Sequence, residues 1–354
     1  MNNLLNEKSR ELLKKGNCFD FMRYFFAVSL IIVHFCTLAD VDQFWIITGP
    51  IRVKAFFIIS GFLVFYSYIK REDLKDYIEK RIRRILPPYF LVVISCVLLG
   101  FFITSLSKQD YVTSKETYKY LISNFSFLNF IQPTLPGVFE SNPMPAVNGS
   151  LWTMKVEVMF YVSVPIIFFL LKKYNKLSIM ITIFLFAIFY DYCFTMLYEQ
   201  TNNSIYLLIR KQIGSQLVYF YSGTFILLYF NYFIKYLKYL FPIAIILYFG
   251  QDLNFIFSCL EPLSFATILI GLAYNLKYLN FLRKYDNISY GMYLYHFPII
   301  QVIIYYKIPQ YNIYLAFFIA FMLTIVISAL SWRFIEKPII EKRYFTSSGD
   351  RIHL

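Results

Sequence analysis

Two ionisable residues inside apolar segments have types and positions suited to acid–base chemistry. His34 lies ~6 Å and Glu157 ~9 Å below the outer edge of their predicted membrane spans. A carboxylate at the same depth as an imidazole would hold its tautomer and raise its basicity. The sequence therefore predicts His34 and Glu157 as catalytic residues. In the alternative interpretation, Arg52 or Lys155 pairs with Glu157 only to neutralise buried charge, and His34 makes a structural hydrogen bond.

Arginines toward the opposite edge of the membrane are candidates for binding phosphate. Arg23 precedes His34 by eleven residues, which places it within ~20° of the same helix face and ~16 Å away along the axis. Arg81 and Arg84 are three residues apart and face one way on a helix, and guanidinium groups bind phosphate bidentately. The sequence predicts that these arginines hold a phosphate-bearing donor. The alternative is that they only satisfy the positive-inside rule or contact headgroups and anionic lipid.

Further charged or polar side chains at span depth are candidate substrate contacts. A charge at the centre of a membrane helix costs at least ~2.5–3.5 kcal/mol, so each such residue is a functional candidate. These candidates are Arg52, Lys54, Lys155 and His296. His296 lies ~12 Å above the inner edge of its span, where a helix-to-helix hydrogen bond is the alternative to a substrate contact. Ser60 and Gly61 indicate a point of close helix packing.

The composition identifies the kind of protein that positions these groups. Apolar residues make up 58% of the 354 residues, charged residues 16%, and aromatic residues 21%. Soluble domains are near 45–50% apolar and about 25% charged, so a soluble globular protein is excluded. We predict an all-α, polytopic membrane helical bundle. Its ten expected spans are 19–38, 44–68, 85–106, 151–171, 177–197, 212–231, 237–250, 256–275, 288–306 and 312–332.

The distribution of positive charge predicts the topology. With an internal N-terminus, the inner segments hold 24 of the 34 Lys and Arg residues and the outer loops hold six, which places both termini in the cytoplasm. The net charge of +13 therefore reflects topology and anionic lipid, and no nucleic-acid partner is expected. We divide the chain into a cytoplasmic amphipathic segment (1–18), a transmembrane domain (19–340) with an outer loop (107–150), and a cytoplasmic tail (341–354). The five scattered cysteines show no spacing typical of a disulfide framework or a metal site.

Several segments, in order, resemble the membrane-bound acyltransferase family 3. They are FDFMRYFFAVSLIIVHF, AFFIISGFLVF, RIRR before two prolines, NGSLWTMKVEVMFYVSVP, YGMYLYHFPII and RFIEKPI. The resemblance spans about residues 17 to 340. It implies an integral-membrane enzyme that moves acetyl from acetyl-CoA to a hydroxyl of a cell-envelope glycan, without a permanently bound cofactor. Arg23, His34, Arg81, Arg84 and Glu157 match functional positions of that family.

The chain departs from the family pattern in two respects. Arg52 and Lys54 add positive charge to the second span, which indicates an anionic acceptor or a simple pairing with Glu157. No segment of this sequence resembles the extracytoplasmic hydrolase-like domain of some members. Trp152, in the fourth matching segment, is a further candidate substrate contact.

The resemblance and the residues together predict a mechanism in the cell membrane. Acetyl-CoA enters from the cytoplasm, its phosphates bind the arginines, and His34, oriented by Glu157, deprotonates a glycan hydroxyl. A covalent acetyl-His34 intermediate is a variant. Two rival functions are a non-catalytic carrier and an acyl shuttle that serves a separate transferase.

Overall fold

The computed structural model describes residues 4–42 and 49–341, and within these ranges the protein contains helices and no β-strand. The apolar segments form helices because lipid offers no partner for free backbone groups. The α-helices are α1 (Glu7–Leu13), α2 (Phe19–Leu38), α3 (Gly49–Arg71), α4 (Leu74–Ile103), α5 (Lys108–Thr113), α6 (Lys115–Phe125), α7 (Trp152–Lys173), α8 (Lys176–Thr201), α9 (Ile205–Arg210), α10 (Ile213–Leu228), α11 (Phe230–Phe249), α12 (Phe255–Asn275), α13 (Ser289–Tyr305), α14 (Ile308–Tyr311), α15 (Ile313–Ser331) and α16 (Lys337–Glu341).

Eight of these helices are long and apolar enough to cross a membrane, which confirms the predicted polytopic helical fold. They are α2, α3, α4, α7, α8, α11, α12 and α15 with its extension to Glu341. The two other predicted spans form α10 and α13, which have 16 and 17 residues. At ~1.5 Å per residue these helices reach about 24–26 Å, short of a hydrocarbon layer of about 30 Å. The total of ten spans and the cytoplasmic termini stay predictions.

The segment 69–84, between the second and third predicted spans, is largely helical, so the helix of the third span begins before its predicted start at 85. Helix α3 continues to Arg71, and α4 begins already at Leu74. Pro87 and Pro88 therefore lie inside α4 and do not open it, because membrane helices tolerate proline where neighbours satisfy the freed carbonyls. The segment with Arg81 and Arg84 is thus a rigid helical turn.

The predicted outer loop 107–150 has its own structure. It contains α5, α6 and a short 3₁₀ turn at Asn129–Ile131, followed by an irregular stretch with buried apolar side chains. Gln301 of α13 donates to the carbonyl oxygens of Met144 and Ala146, each at 2.6 Å. The Asn142 amide donates to the Gln301 carbonyl oxygen at 3.0 Å and to its Oε1 at 2.9 Å. The stretch is therefore fixed to α13.

The chain divides into two compact units. The first unit includes the described residues 4–23, 50–74 and 156–284, and the second includes 24–42, 49, 75–155 and 285–341. Helices α2 and α7 each contribute residues to both units. The candidate catalytic and arginine residues are accordingly distributed between two separately packed bodies.

Within the first unit, helices approach closely at small residues, as predicted for Ser60 and Gly61. A Cβ added to Gly61 would lie 1.8 Å from the Phe220 carbonyl oxygen, so only glycine fits there. The Thr224 hydroxyl donates to the Gly61 carbonyl oxygen at 3.0 Å.

Burial raises the pKa of the Cys18 thiol, which disfavours the thiolate form that a cysteine nucleophile needs.

The N-terminal segment packs on the protein. Leu4, Leu5 and Leu13 are buried, and Lys176 donates to the Leu4 carbonyl oxygen at 2.8 Å. The buried hydroxyl of Ser9 accepts from the Asn231 backbone N–H at 3.2 Å. The apolar face of α1 is therefore covered by protein in the first unit.

Candidate active site

The predicted catalytic residue His34 contacts a second histidine in the second unit. Its Nδ1 lies 2.7 Å from Nε2 of His296, although 262 residues separate the two in the chain. The ring planes differ by 14° and the ring centroids lie 5.0 Å apart, much farther than the two nitrogens. The rings therefore meet edge to edge in nearly one plane, which aligns an N–H with the facing lone pair.

The hydrogen bonds define the tautomer of both rings. Nδ1 of His296 lies 2.9 Å from the carbonyl oxygen of Met292, which can only accept, so Nδ1 carries a hydrogen. His296 is 0% exposed, and a buried imidazolium would cost several kcal/mol, so the neutral ring with an accepting Nε2 is favoured. Nδ1 of His34 then donates to that Nε2. The lone pair of neutral His34 is consequently on its own Nε2.

A second set of hydrogen bonds joins α2 to the beginning of α13 and so fixes how the two rings approach each other. The Tyr24 hydroxyl donates to the Asp286 carbonyl oxygen at 2.7 Å and accepts from the Ile288 N–H at 3.1 Å. Tyr24 lies ten residues before His34, and Ile288 lies eight before His296. Going from the Tyr24–Ile288 contact to the His34–His296 contact, the residue numbers increase along both helices. The helices therefore run parallel, and the histidines meet about three turns from the Tyr24 contact.

Asn148 satisfies the carbonyl that a proline leaves open beside His296. Pro298 has no N–H, so it cannot donate to the carbonyl oxygen of Leu294, four residues earlier in α13. The Asn148 amide donates to that oxygen at 2.9 Å, and Asn148 is 0% exposed. Its Oδ1 accepts from the Ser150 hydroxyl at 2.7 Å. The segment before α7 is thereby anchored to α13 at the level of the histidine pair.

An aromatic ring fills the space between this anchor and His34. Phe297 lies edge-to-face with His34 at a centroid distance of 5.4 Å. A Cβ added to Gly149 would lie 2.8 Å from Cζ of Phe297, so a side chain at position 149 would require this ring to move. Gly149 thus allows the close approach of the turn and the ring.

The beginning of α7 carries two of the predicted substrate contacts. Trp152 and Lys155 are half-buried, and the Lys155 ammonium lies 4.9 Å from the Phe130 ring centroid. One residue beyond Trp152, the Thr153 hydroxyl lies 2.5 Å from the Tyr293 hydroxyl. The Tyr293 hydroxyl also contacts the Ser150 carbonyl oxygen. These contacts position α7 against α13, and a role of Trp152 and Lys155 in substrate binding stays a prediction.

The predicted phosphate-binding arginines stand over aromatic rings in the second unit. Arg84 lies 5.4 Å from the ring centroid of Trp332 and 5.9 Å from that of Tyr290. Arg81 lies 5.6 Å from the Tyr77 ring on the same helix. Both arginines are half-buried. Aromatic faces hold a guanidinium group in place by cation–π contacts.

A π-helical turn at Trp332–Glu336 positions one of these rings. Such turns are rare and occur frequently at functional sites. Glu336, in the same turn, is 0% exposed, and its Oε1 lies 3.5 Å from the Ser331 hydroxyl. The turn brings Trp332 to Arg84, a pairing that the sequence analysis missed.

The first unit contains a separate buried ion pair. The Lys54 ammonium lies 3.2 Å from Oε1 of Glu261, and the Tyr219 hydroxyl donates to Oε2 at 2.8 Å. Lys54 also lies 4.8 Å from the Tyr219 ring centroid. In this unit Lys54 is therefore neutralised by Glu261, and the proposed pairing of Lys54 with Glu157 is replaced by this one.

The remaining predicted residues of the first unit have their own surroundings. Arg23 pairs with Asp20 at 3.3 Å, Arg52 is 1% exposed, and Glu157 accepts from the Tyr161 hydroxyl. Glu157 and His34 belong to different units, so their predicted partnership stays a prediction. The structure brings His34 to His296 and leaves Lys54 with Glu261.

Comparisons with known proteins assign the fold to a family. The sequence profile of a family described as an acyltransferase domain matches residues 17–333. An O-acetyl transferase of Shigella phage Sf6 is 24% identical over 97% of this chain and 100% of its own length. The O-acetyltransferase OatA of Staphylococcus aureus (strain NCTC 8325 / PS 47) is 24% identical over 92% of this chain. The match covers 57% of that relative, so the chain spans little more than half of its length. No solved structure matches the chain.

Proposed function

Since this chain belongs to the acyltransferase family and is a membrane O-acetyltransferase, we propose that it moves an acetyl group from acetyl-CoA to a hydroxyl of a cell-surface or lipid-linked glycan. One observation carries the chemical part of the proposal. The bond between Nδ1 of His34 and Nε2 of His296 leaves the lone pair of His34 on Nε2, where it can accept a proton. An imidazole held in this tautomer is suited to act as a general base at neutral pH.

In the proposed reaction, Nε2 of His34 takes the proton of the acceptor hydroxyl as its oxygen attacks the thioester carbonyl. The new C–O bond forms, the C–S bond breaks, and the thiolate of CoA leaves. The imidazolium of His34 returns its proton to this sulfur, so the ring is neutral again after each cycle. Transfer through an acetyl group on Nε2 of His34 is the covalent variant of the same step.

The donor is proposed to bind at the arginines of α4. Arg84 is supported by two aromatic rings and Arg81 by one, so two guanidinium groups are held on one helix. Their bidentate geometry suits the phosphates of CoA. Arg83 differs, because it pairs with Glu79 at 2.6 Å and donates to the Ile339 carbonyl oxygen at 3.1 Å. We therefore propose Arg81 and Arg84 as donor contacts and Arg83 as a structural residue. Arg23, which lies in the first unit and pairs with Asp20, stays a predicted donor contact.

The acceptor is proposed to meet Trp152 and Lys155 at the beginning of α7. Arg52 stays a proposed contact of the first unit, whereas Lys54 is already neutralised by Glu261. Cationic side chains at membrane depth suit an anionic sugar or a lipid-linked phosphate. Glu157 is proposed as the acidic catalytic residue, and the effect of Glu157→Gln on turnover tests its contribution separately from that of His34.

The function is tested with purified protein in proteoliposomes, acetyl-CoA labelled in the acetyl group, and glycan from cells lacking the protein. We expect labelled O-acetyl glycan and an equal amount of free CoA. His34→Ala provides the inactive comparison, and His353→Gln is the matched histidine control with unchanged turnover. Absence of CoA release with the wild-type protein would contradict the enzymatic assignment.

The same assay separates the two rival functions. A carrier translocates its substrate without consuming acetyl-CoA. An acyl shuttle releases CoA and becomes labelled, but it leaves the glycan unmodified until a separate transferase is added. Labelled glycan in the purified system alone excludes both.

A further inference from the structure

We infer that His296 is a positioning residue that fixes the tautomer of His34, and that the Asn148–Ser150 turn holds His296 in the required place. The inference rests on the proposed role of His34 as the base. It assigns a role to the hydrogen bonds that run from the Met292 carbonyl through His296 to Nδ1 of His34, and to the bond from Asn148 to Leu294 in the same part of α13.

Neutral imidazole has two tautomers, and only one of them lets Nε2 act as a base. In the 2.7 Å bond between Nδ1 of His34 and Nε2 of His296 one nitrogen donates and the other accepts, and the tautomer of His34 with its hydrogen on Nδ1 is the one that donates. It requires Nε2 of His296 to accept, which the bond of its Nδ1 to the Met292 carbonyl oxygen ensures. The Met292 carbonyl thus determines the tautomer of His296, and His296 determines the tautomer of His34.

This geometry also shows why His296 is not suited to bind substrate directly. One ring nitrogen faces the Met292 carbonyl oxygen and the other faces His34. His296 is 0% exposed. Both polar atoms of the ring are therefore engaged within the protein, which favours the helix-to-helix hydrogen bond over the predicted substrate contact.

The position of His296 depends on a helix segment weakened by proline. Pro298 removes the hydrogen bond that would close α13 onto Leu294, within two residues of His296. The Asn148 amide replaces that bond from outside the helix at 2.9 Å. A proline without this donor would leave a buried carbonyl unsatisfied and free the turn that carries His296.

Phe297 links the same turn to His34 from the side. Its ring is 5.4 Å from the His34 ring and would be only 2.8 Å from a Cβ at position 149. Asn148 therefore acts on the helical turn that carries His296, by its hydrogen bond to the Leu294 carbonyl oxygen, and Gly149 acts on Phe297 by steric fit. The turn is a support for the imidazole pair.

The direct test is the tautomer of His34. The chain has three histidines, His34, His296 and His353, so protein labelled with ¹⁵N-histidine gives three resolvable side chains, assigned with His353→Gln and His296→Gln. The ¹⁵N shifts of protein in liposomes at neutral pH should show a protonated Nδ1 and an unprotonated Nε2 for His34. In His296→Ala, His34 should shift toward the form protonated at Nε2. A His34 protonated at Nε2 in the wild-type protein would overturn the inference whatever the activity.

Turnover provides the second readout. His296→Ala should lower kcat for acetyl transfer by about 10–100-fold, as for loss of a supporting hydrogen bond, with KM for acetyl-CoA changed by less than about twofold. His296→Gln places an amide oxygen where Nε2 accepts, so it should recover about tenfold of that loss. Asn148→Ala should lower kcat in the same direction.

The two readouts distinguish failure of the inference from failure of the proposed function. Equal activity of the Ala and Gln variants, or a loss confined to KM, would contradict a positioning role. If His34→Ala itself transfers acetyl at the wild-type rate, the proposed base is wrong even when the tautomer is as expected. Folding of every variant is checked by its helical circular dichroism under the same conditions.

Discussion

Asn148→Ala and Pro298→Ala should compensate for each other if Asn148 replaces the hydrogen bond that Pro298 removes. Asn148→Ala leaves the buried carbonyl of Leu294 without its donor, at a cost of about 1–3 kcal/mol. It also removes the acceptor for the Ser150 N–H and hydroxyl, a cap worth about 1 kcal/mol. Hydrogen bonds in membrane helices average about 0.6 kcal/mol in double-mutant cycles, so we expect a total near 2 kcal/mol.

Pro298→Ala supplies an N–H that can reach the same carbonyl oxygen. In the Asn148→Ala background it should recover about 1 kcal/mol, whereas in the wild-type protein it should gain nothing, because the oxygen already has the Asn148 donor. The cap contacts of Ser150 are not recovered. The expected signature is therefore a coupling of about 1 kcal/mol between positions 148 and 298.

The assay is reversible unfolding in mixed micelles, followed by the loss of helical circular dichroism. The four proteins of the cycle are compared under one condition. Ser150→Ala is the matched control: it removes a contact in the same turn but leaves the bond to Leu294, so Pro298→Ala should not compensate for it. Strictly additive effects of Asn148→Ala and Pro298→Ala would refute the reasoning.

Three further substitutions test other parts of the structure. Gly149→Ala forces a Cβ toward the Phe297 ring and should lower kcat by about tenfold, measured with labelled acetyl-CoA, whereas unchanged kcat would show that the ring yields freely. Arg84→Lys keeps the charge but loses the planar group above the aromatic rings, so KM for acetyl-CoA should rise by about tenfold with kcat nearly unchanged; an unaltered KM would remove this residue from the donor site. Lys54→Met should destabilise the protein by about 2 kcal/mol in micelle unfolding, and adding Glu261→Gln to this variant should reverse most of that loss. An unchanged stability of Lys54→Met would show that the ion pair does not contribute to folding.

The class of the fold follows from the sequence because the bilayer leaves little choice. Runs of apolar residues must be helical to cross it, and eight of the predicted spans meet the length and composition required. The error lay at the inner loop before Pro87, where a helix boundary was expected. Propensity alone suggests a break there, but the neighbouring helices permit prolines inside a membrane helix.

The sequence predicts several residues of the site but not the contacts between them. His34 was recognised as a candidate because a histidine at membrane depth is costly, yet its partner His296 is 262 residues away, and no local periodicity relates them. One signal was available: Pro298 leaves the Leu294 carbonyl open, so a buried donor such as Asn148 had to exist somewhere in the chain. The identity of that donor depends on tertiary packing.

The arginine site shows the same limit. Arg84 was predicted from its spacing to Arg81 and from the chemistry of guanidinium groups. The ring of Trp332 that holds it comes from a π-helical turn, whose extra residue per turn depends on packing around the end of α15. The sequence thus identifies the charged group, and the structure supplies the aromatic support.

The rate of acetyl transfer by His34→Ala tests the central claim most directly. General-base assistance contributes about 10²–10⁴-fold, so labelled acetyl-CoA should be turned over at least about 100-fold more slowly by the folded variant than by the wild-type protein. Turnover of His34→Ala at the wild-type rate, in protein with the helical circular dichroism of the wild type, would contradict it.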